Sequence, residues 1–206
     1  MLKEIFTSLV MQYDCNAALA ETLWLEIYQH YSKKKRYYHN LSHLQALYEQ
    51  LNAKRRSIED WNSILFSLFY HDIIYKVSSK TNEIQSAELA LKRLQSIGYP
   101  EKNARHCYDL IIATATHQKS NDADTNLFTD ADLSILGQER EIYKAYCDNI
   151  RKEYSIYPDF IYKPGRKKVV VHFLEMSRIF KTEYFYDRFE LQARQNLAWE
   201  LGSIST

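Results

Sequence analysis

Leu19, Leu23, Ile27 and Tyr31 recur every four residues behind Asn16, so one apolar stripe follows a residue suited to cap a helix. This pattern predicts a helix ending near the basic run Lys33-Lys34-Lys35-Arg36. Leu41, Leu44, Leu47 or Tyr48, and Leu51 form the next stripe; carried back one turn, it puts His39 and His43 on a shared helix face. Asp60 opens a third pattern through Trp61, Ile64, Leu65, Leu68 and Phe69 that leads into His71-Asp72. From Ile64 to Tyr75 the chain is apolar nearly all round, as expected of a central helix.

Asn82 begins a further helix through Ala87, Leu91 and Leu94, with Gly98 and Pro100 as stop signals. Residues 101 to 117 carry Ala104, Tyr108, Ile111 and Ala115 toward His117. Residues 118 to 127, rich in Asn, Asp, Ser and Gln, read as a surface loop ahead of Asp130 and Asp132. Ile142, Tyr146 and Ile150 mark another helix, followed by a connection from Tyr154 to Gly165. Val169-Val170-Val171 has strand propensity, but Val170, Phe173, Leu174 and Ile179 also fit a helix and no partner strand is evident, so a helix is expected. A last helix is expected from about Asp187 to Leu201.

Composition narrows this to an all-α fold. Only four glycines and three prolines occur in 206 residues, too few for a sheet of many hairpins, and no Gly-, Pro- or Ser-rich stretch separates a second domain from a single one spanning 1–206. With 27 basic and 26 acidic residues the formal net charge is +1, which provides no overall field for nucleic acid or an anionic membrane; any phosphate recognition has to be local. Cys15, Cys107 and Cys147 are odd in number and lack CxxC spacing, which points to reduced core thiols and a cytoplasmic setting. Residues 1–13 alternate apolar and polar side chains without the features of a signal peptide, and no apolar run reaches transmembrane length.

The candidate chemistry lies in His39 and His43, the adjacent pair His71-Asp72, and Asp132, with Asp130 beside it. These residues fall within or at the ends of apolar helical patterns, where an unpaired charge is unfavourable. A divalent cation would satisfy them together. Imidazoles with carboxylates suit Mn, Mg, Co, Fe, Ni or Zn, and the lack of a cysteine ligand pattern argues against a structural zinc knuckle. His30, His106 and His172 have no motif neighbours and are expected to be structural or exposed.

Taken in order, His, His-Asp and a later Asp resemble the HD superfamily of metal-dependent phosphohydrolases, which are all-helical bundles. Tyr38-His39-Asn40-x-x-His43 is similar to the YHNxxH segment of cyclic-nucleotide phosphodiesterases, and Ala131-Asp132-Leu133-Ser134 to the segment carrying their last metal ligand. RYYHNLSH, FYHDIIY, NEIQSA, FTDADLSILG, the Gly165-Arg166 pair and the closing AR-x-NL-x-x-E from Ala193 to Glu200 resemble a bacterial family of predicted HD phosphohydrolases along nearly the whole chain.

That resemblance implies His43, His71, Asp72 and Asp132 as metal ligands and His39 as the acid that protonates the leaving oxygen. Arg36-x-x-His39 also fits an R-x-x-H segment, an alignment that makes His39 the ligand instead. Asp72 would also accept a proton from the nucleophilic water, and Glu83 in Asn82-Glu83-x-x-Ser86-Ala87 could hold a metal-bound water or simply compensate a helix dipole. Asp130 could orient a ligating histidine or cap a helix. Arg36, His117 and Arg166 are candidates for contacting a phosphate, and one of the tyrosines near the ligands could stack on a base. The implied activity is hydrolysis of a phosphate ester of a nucleotide or small phosphorylated metabolite by hydroxide generated at the metal. The alternatives are a di-iron oxygenase, with His106 and His117 as extra ligands, and a non-catalytic metal- or nucleotide-binding module.

Overall fold

The computed structural model describes residues 1–205, and every regular element among them is helical. In chain order these are α1 (Leu2–Val10), α2 (Ala17–Tyr31), α3 (Leu41–Ala53), α4 (Trp61–Tyr70), α5 (Asn82–Ser96), α6 (Glu101–Ala113), α7 (Ala123–Asp132), α8 (Arg140–Glu153), α9 (Asp159–Glu175) and α10 (Glu183–Ser205), with short 3-10 turns at Arg55–Ser57 and Leu133–Gly137. The chain falls into two compact units, residues 1–129 and 130–206, and their boundary lies within α7.

The first unit is organised around α4. Ser63 through Tyr70 are all buried, and α4 packs against α1, α3, α5 and α6. Its two buried serines are both satisfied: Ser63 Oγ donates to Asp60 Oδ2 at 2.6 Å, and Ser67 Oγ donates to Ser63 O at 2.8 Å. Asp60 caps the N-terminus, accepting from Ser63 N at 3.0 Å and from Asn103 Nδ2 at 2.6 Å. Asp124 in turn accepts from the main-chain N–H groups of Glu59 and Asp60. Residues that stop and start the helices behave as the sequence suggests. Gly98 takes φ +67°, and Tyr99 N donates to Leu94 O and Gly98 N to Gln95 O, the paired bonds of a Schellman stop behind α5.

His106 on α6 joins this cap. Its ring nitrogens lie 3.6 Å from Asp60 Oδ2 and 3.2 Å from Asp122 Oδ2, and Asp122 itself caps α7 by accepting from Thr125 N at 2.7 Å. That cap starts α7 at Ala123, inside the stretch expected to be loop; the polar composition of residues 118–127 reflects a capping sequence as much as a connection. The Asp60 carboxylate beside it pushes the His106 pKa up to about 9 against the opposing effect of burial, with Asp122 adding to the rise.

In the second unit α10 packs on α9 and on the Leu133–Gly137 turn, which also meets α8. Two expectations shift here. The helix α9 begins at Asp159 and runs through Pro164, so the expected connection is shorter; buried Arg166 and Val170 anchor the helix although Pro164 removes one of its bonds. On α8 it is Tyr143 that is fully buried while Ile142 is half exposed, because the Tyr143 hydroxyl donates to Glu200. Val169 to Val171 are helical, as expected. The three cysteines are free thiols, and no helix among the described residues is long and apolar enough to cross a membrane.

Two predictions follow from this packing. A Cβ at Gly137 would lie 2.6 Å from the carbonyl oxygen and 2.8 Å from the Cα of Phe189, whereas a Cβ at Gly165 meets nothing within 4 Å. Gly137→Ala should therefore destabilise by about 1–3 kcal/mol, and Gly165→Ala, in a helix interior, should stabilise by about 0.5–1 kcal/mol; urea titrations of the full chain check both signs. For His106, a pKa raised above its ordinary 6.5 means that the stabilisation is fully present below that value and is lost as pH rises through about 9. His106→Ala should lower the melting temperature most at about pH 6, and wild type and variant should converge by about pH 10; a gap independent of pH would show that charge plays no part.

Candidate metal centre

Asn40 begins the site by ending a turn. Its Oδ1 accepts from Ser42 N at 2.8 Å and its side chain caps α3, which places His43 in the first turn of the helix and leaves His39 outside it. His39 and His43 therefore do not share a helix face as expected; their ring centroids are 6.0 Å apart, brought together by the turn. On the other side α4 stops at Tyr70. His71 is its C-cap, and Asp72 follows in a turn closed by Ile73 N to Tyr70 O, so two adjacent residues can present donors to one point.

Three donor atoms converge there within the first unit. His43 Nε2 lies 3.1 Å from His71 Nε2, and Asp72 Oδ2 lies 3.1 Å from His71 Nε2 and 3.8 Å from His43 Nε2. His71 Nδ1 lies 3.0 Å from Leu68 O, an acceptor, so that nitrogen carries the proton and a neutral His71 presents a bare Nε2 to the cluster. Burial alone would raise the Asp72 carboxyl; when His71, His39 and His43 carry protons their charge outweighs it and holds the group well below the usual carboxylate range. His43 and His71 belong to a group of side chains whose ligand atoms are close enough to hold one metal ion. The donor set fits such an ion. Two donors each 2.0–2.1 Å from a tetrahedral centre stand about 3.3 Å apart, close to the separations found here.

His39 is placed differently. Its Nε2 is 4.0 Å from Asp72 Oδ2, and its ring lies over Tyr75 with centroids 4.1 Å apart and planes inclined by 30°. Arg36 is buried, and its guanidinium donates to main-chain carbonyls rather than facing open space, at 2.7 Å to Asp72 O, 3.2 Å to His39 O and 2.8 Å to Ile73 O. Glu83 sits in the first turn of α5 without a hydrogen bond or ion pair, so no interaction ties it to the cluster. Its motif neighbours do act on the site: Ser86 Oγ accepts from Ile74 N, and the Asn82 side chain pairs with the main chain of Lys76, which together fix the chain leaving Asp72. His117, just past α6, adopts a left-handed φ of +52°.

Asp132 is the last residue of α7, four residues beyond Phe128, whose ring centroid is 5.9 Å from that of His71. Asp130 is fully buried and gives its oxygens to Lys181 N, Thr182 N and Thr182 Oγ1 ahead of α10. It therefore orients no histidine and caps no helix of its own; it secures the start of α10. Arg166 is also buried, bound at both ends of its fork to Glu200 at 2.7 and 3.0 Å and to Tyr146 OH, so its charge is compensated inside the second unit. No protein-family model, curated protein or solved structure matches the chain.

The geometry separates ligands from supports. His71→Ala or Asp72→Ala should abolish retention of metal measured by ICP-MS, since either leaves the donor set short. Asp130→Asn should retain metal while losing about 1–3 kcal/mol of stability through its broken buried hydrogen bonds. Near-stoichiometric metal in His71→Ala would remove the basis for a metal centre.

Proposed function

We propose that the chain is a metal-dependent phosphohydrolase of the HD type, acting on a phosphate ester of a nucleotide or small phosphorylated metabolite. The observation that carries this reading is the convergence of His43 Nε2, His71 Nε2 and Asp72 Oδ2 within 3.1–3.8 Å, with His71 held in the tautomer that leaves Nε2 bare. With His71 Nε2 unprotonated, His43 Nε2 can donate to it at 3.1 Å, and a bound cation would replace that one hydrogen bond with ligation by both rings. Asp132 is the further ligand in this reading. The resemblance of Ala131-Asp132-Leu133-Ser134 to the segment that carries the last ligand of cyclic-nucleotide phosphodiesterases supports this assignment.

A divalent cation bound there would supply positive charge that acidifies water and polarises a phosphoryl oxygen. The residues divide the remaining work. Asp72, an ionised carboxylate 3.1 Å from His71 Nε2, can accept the proton of the attacking water. His39, outside the closest donor group yet 4.0 Å from Asp72 and braced by Tyr75, is placed to protonate the leaving oxygen. This favours His43 over His39 as the ligand. Arg166 and Glu83 drop out of the set, the first because Glu200 holds it and the second because no interaction directs it to the cluster.

A di-iron oxygenase is disfavoured by His106. It sits beside Asp60, at the opposite end of α4 from His71, and eleven residues of helical rise amount to about 16 Å. The deciding experiment incubates metal-loaded protein with nucleoside monophosphates, cyclic nucleotides and an aryl phosphate, in air and without oxygen. Release of product should be independent of oxygen and, on alkyl esters, should fall roughly 100- to 10,000-fold in His39→Ala with metal still bound. Product that needs iron and oxygen would support the oxygenase, and stabilisation by nucleotide without turnover would support a binding module.

A further inference from the structure

The turn that carries Asp72 lies past the end of α4 and has no helical ladder of its own. Its main chain is held from outside, chiefly by residues at the end of α2 and just beyond it. We infer that Arg36 is a positioning residue of the metal centre: its guanidinium sets the spacing between the His39 segment and the Asp72-Ile73 turn, and it does not bind the substrate phosphate. This inference rests on the metal-centre reading above.

Arg36 is 7% exposed. Its Nη1 donates to Asp72 O at 2.7 Å and to His39 O at 3.2 Å, so a single nitrogen spans both motif segments; its Nη2 donates to Ile73 O at 2.8 Å. The rings of Tyr31 and Tyr75 lie 4.8 and 5.6 Å from its central carbon. The Nε is shut away from solvent, which leaves no route for a phosphate oxygen to that edge. Tyr31 and His30 reinforce the clamp. Asp72 N donates to Tyr31 OH at 3.2 Å, and His30 Nδ1 lies 2.7 Å from Ile73 O. Asp72 is thus gripped at its N–H by Tyr31 and at its carbonyl by Arg36, which fixes the main chain from which its carboxylate projects. Three carbonyls in fixed directions suit a planar fork of donors; a lysine ammonium is a compact point charge on a flexible stem and cannot reproduce that spacing.

The two roles separate in the absence of substrate. A phosphate-binding arginine acts only when the ester is present, so its loss raises KM and leaves metal affinity unchanged. A positioning arginine changes the ligand geometry in the protein alone. Full-length chain stripped with chelator is titrated with Co2+ by calorimetry, and its visible absorption is recorded at saturation. Arg36→Ala should weaken Co2+ binding by about 10- to 100-fold and alter the cobalt spectrum, with far-UV circular dichroism unchanged. Arg36→Lys should fall between wild type and Arg36→Ala. Tyr31→Phe, which removes only the hydroxyl on Asp72 N, should shift the same spectrum by less, and with Arg36→Lys it carries the test if Arg36→Ala does not fold. Wild-type affinity and an unchanged spectrum in Arg36→Lys and Tyr31→Phe would overturn the positioning role while leaving the metal centre intact. A wild-type chain that binds no Co2+ would instead sink the metal reading itself.

Discussion

Helix α4 has no solvent-facing side over its last two turns, and its polar ends must therefore be satisfied by neighbours rather than by water. At the N-terminus the carboxylate of Asp60 gathers Ser63, Asn103 and His106, while Asp124 takes the N–H groups of Glu59 and Asp60. At the C-terminus the chain leaves the helix through His71 and Asp72, whose Nε2 and Oδ2 atoms stand 3.1 Å apart. One buried helix thereby fixes a charged cap at one end and a donor cluster at the other.

Charge is resolved in three ways. Asp60 and His106, both partly exposed, face each other as an ion pair, so each shifts toward its charged form. Arg166 and Glu200 form a bidentate pair supported by Tyr143 and Tyr146, the arrangement in which a desolvated ion pair keeps its hydrogen bonds. The cluster of His43, His71 and Asp72 is different. Two of its three groups are imidazoles, and His71 already uses its other nitrogen on Leu68, so mutual hydrogen bonding cannot satisfy every lone pair.

Several motif residues support the fold instead of doing chemistry. Asn82 and Ser86 hold the chain after Asp72; Asn196 donates to Leu136 O and Gln138 O, and Glu200 holds Arg166. A short motif in a sequence records that a residue type is needed, and a buried polar side chain bonded to main chain is as exacting a need as a ligand. Arg36 illustrates the ambiguity. Beside a histidine motif a cation reads as a phosphate contact, whereas its donors in the fold are directed at carbonyls.

The periodicity of apolar positions was enough to determine an all-α chain, the buried character of α4 behind Asp60, the Asn16 cap, and the stop at Gly98, because these depend on residues within one or two turns of each other. It also singled out His39, His43, His71 and Asp72, whose types are costly to bury unless something satisfies them. Tertiary structure decided the rest. The inward turn of Tyr143 instead of Ile142 depended on Glu200, 57 residues away, whereas His39 precedes α3 through a local cap, Asn40, that the apolar stripe does not report. The employment of Asp130 by Thr182 and of Arg36 by Asp72 and Ile73 likewise involves partners tens of residues distant. Local sequence sets which conformations and side-chain chemistries are available; only packing brings a donor and an acceptor within 3 Å, and at that range the choice of partner settles what a polar residue does.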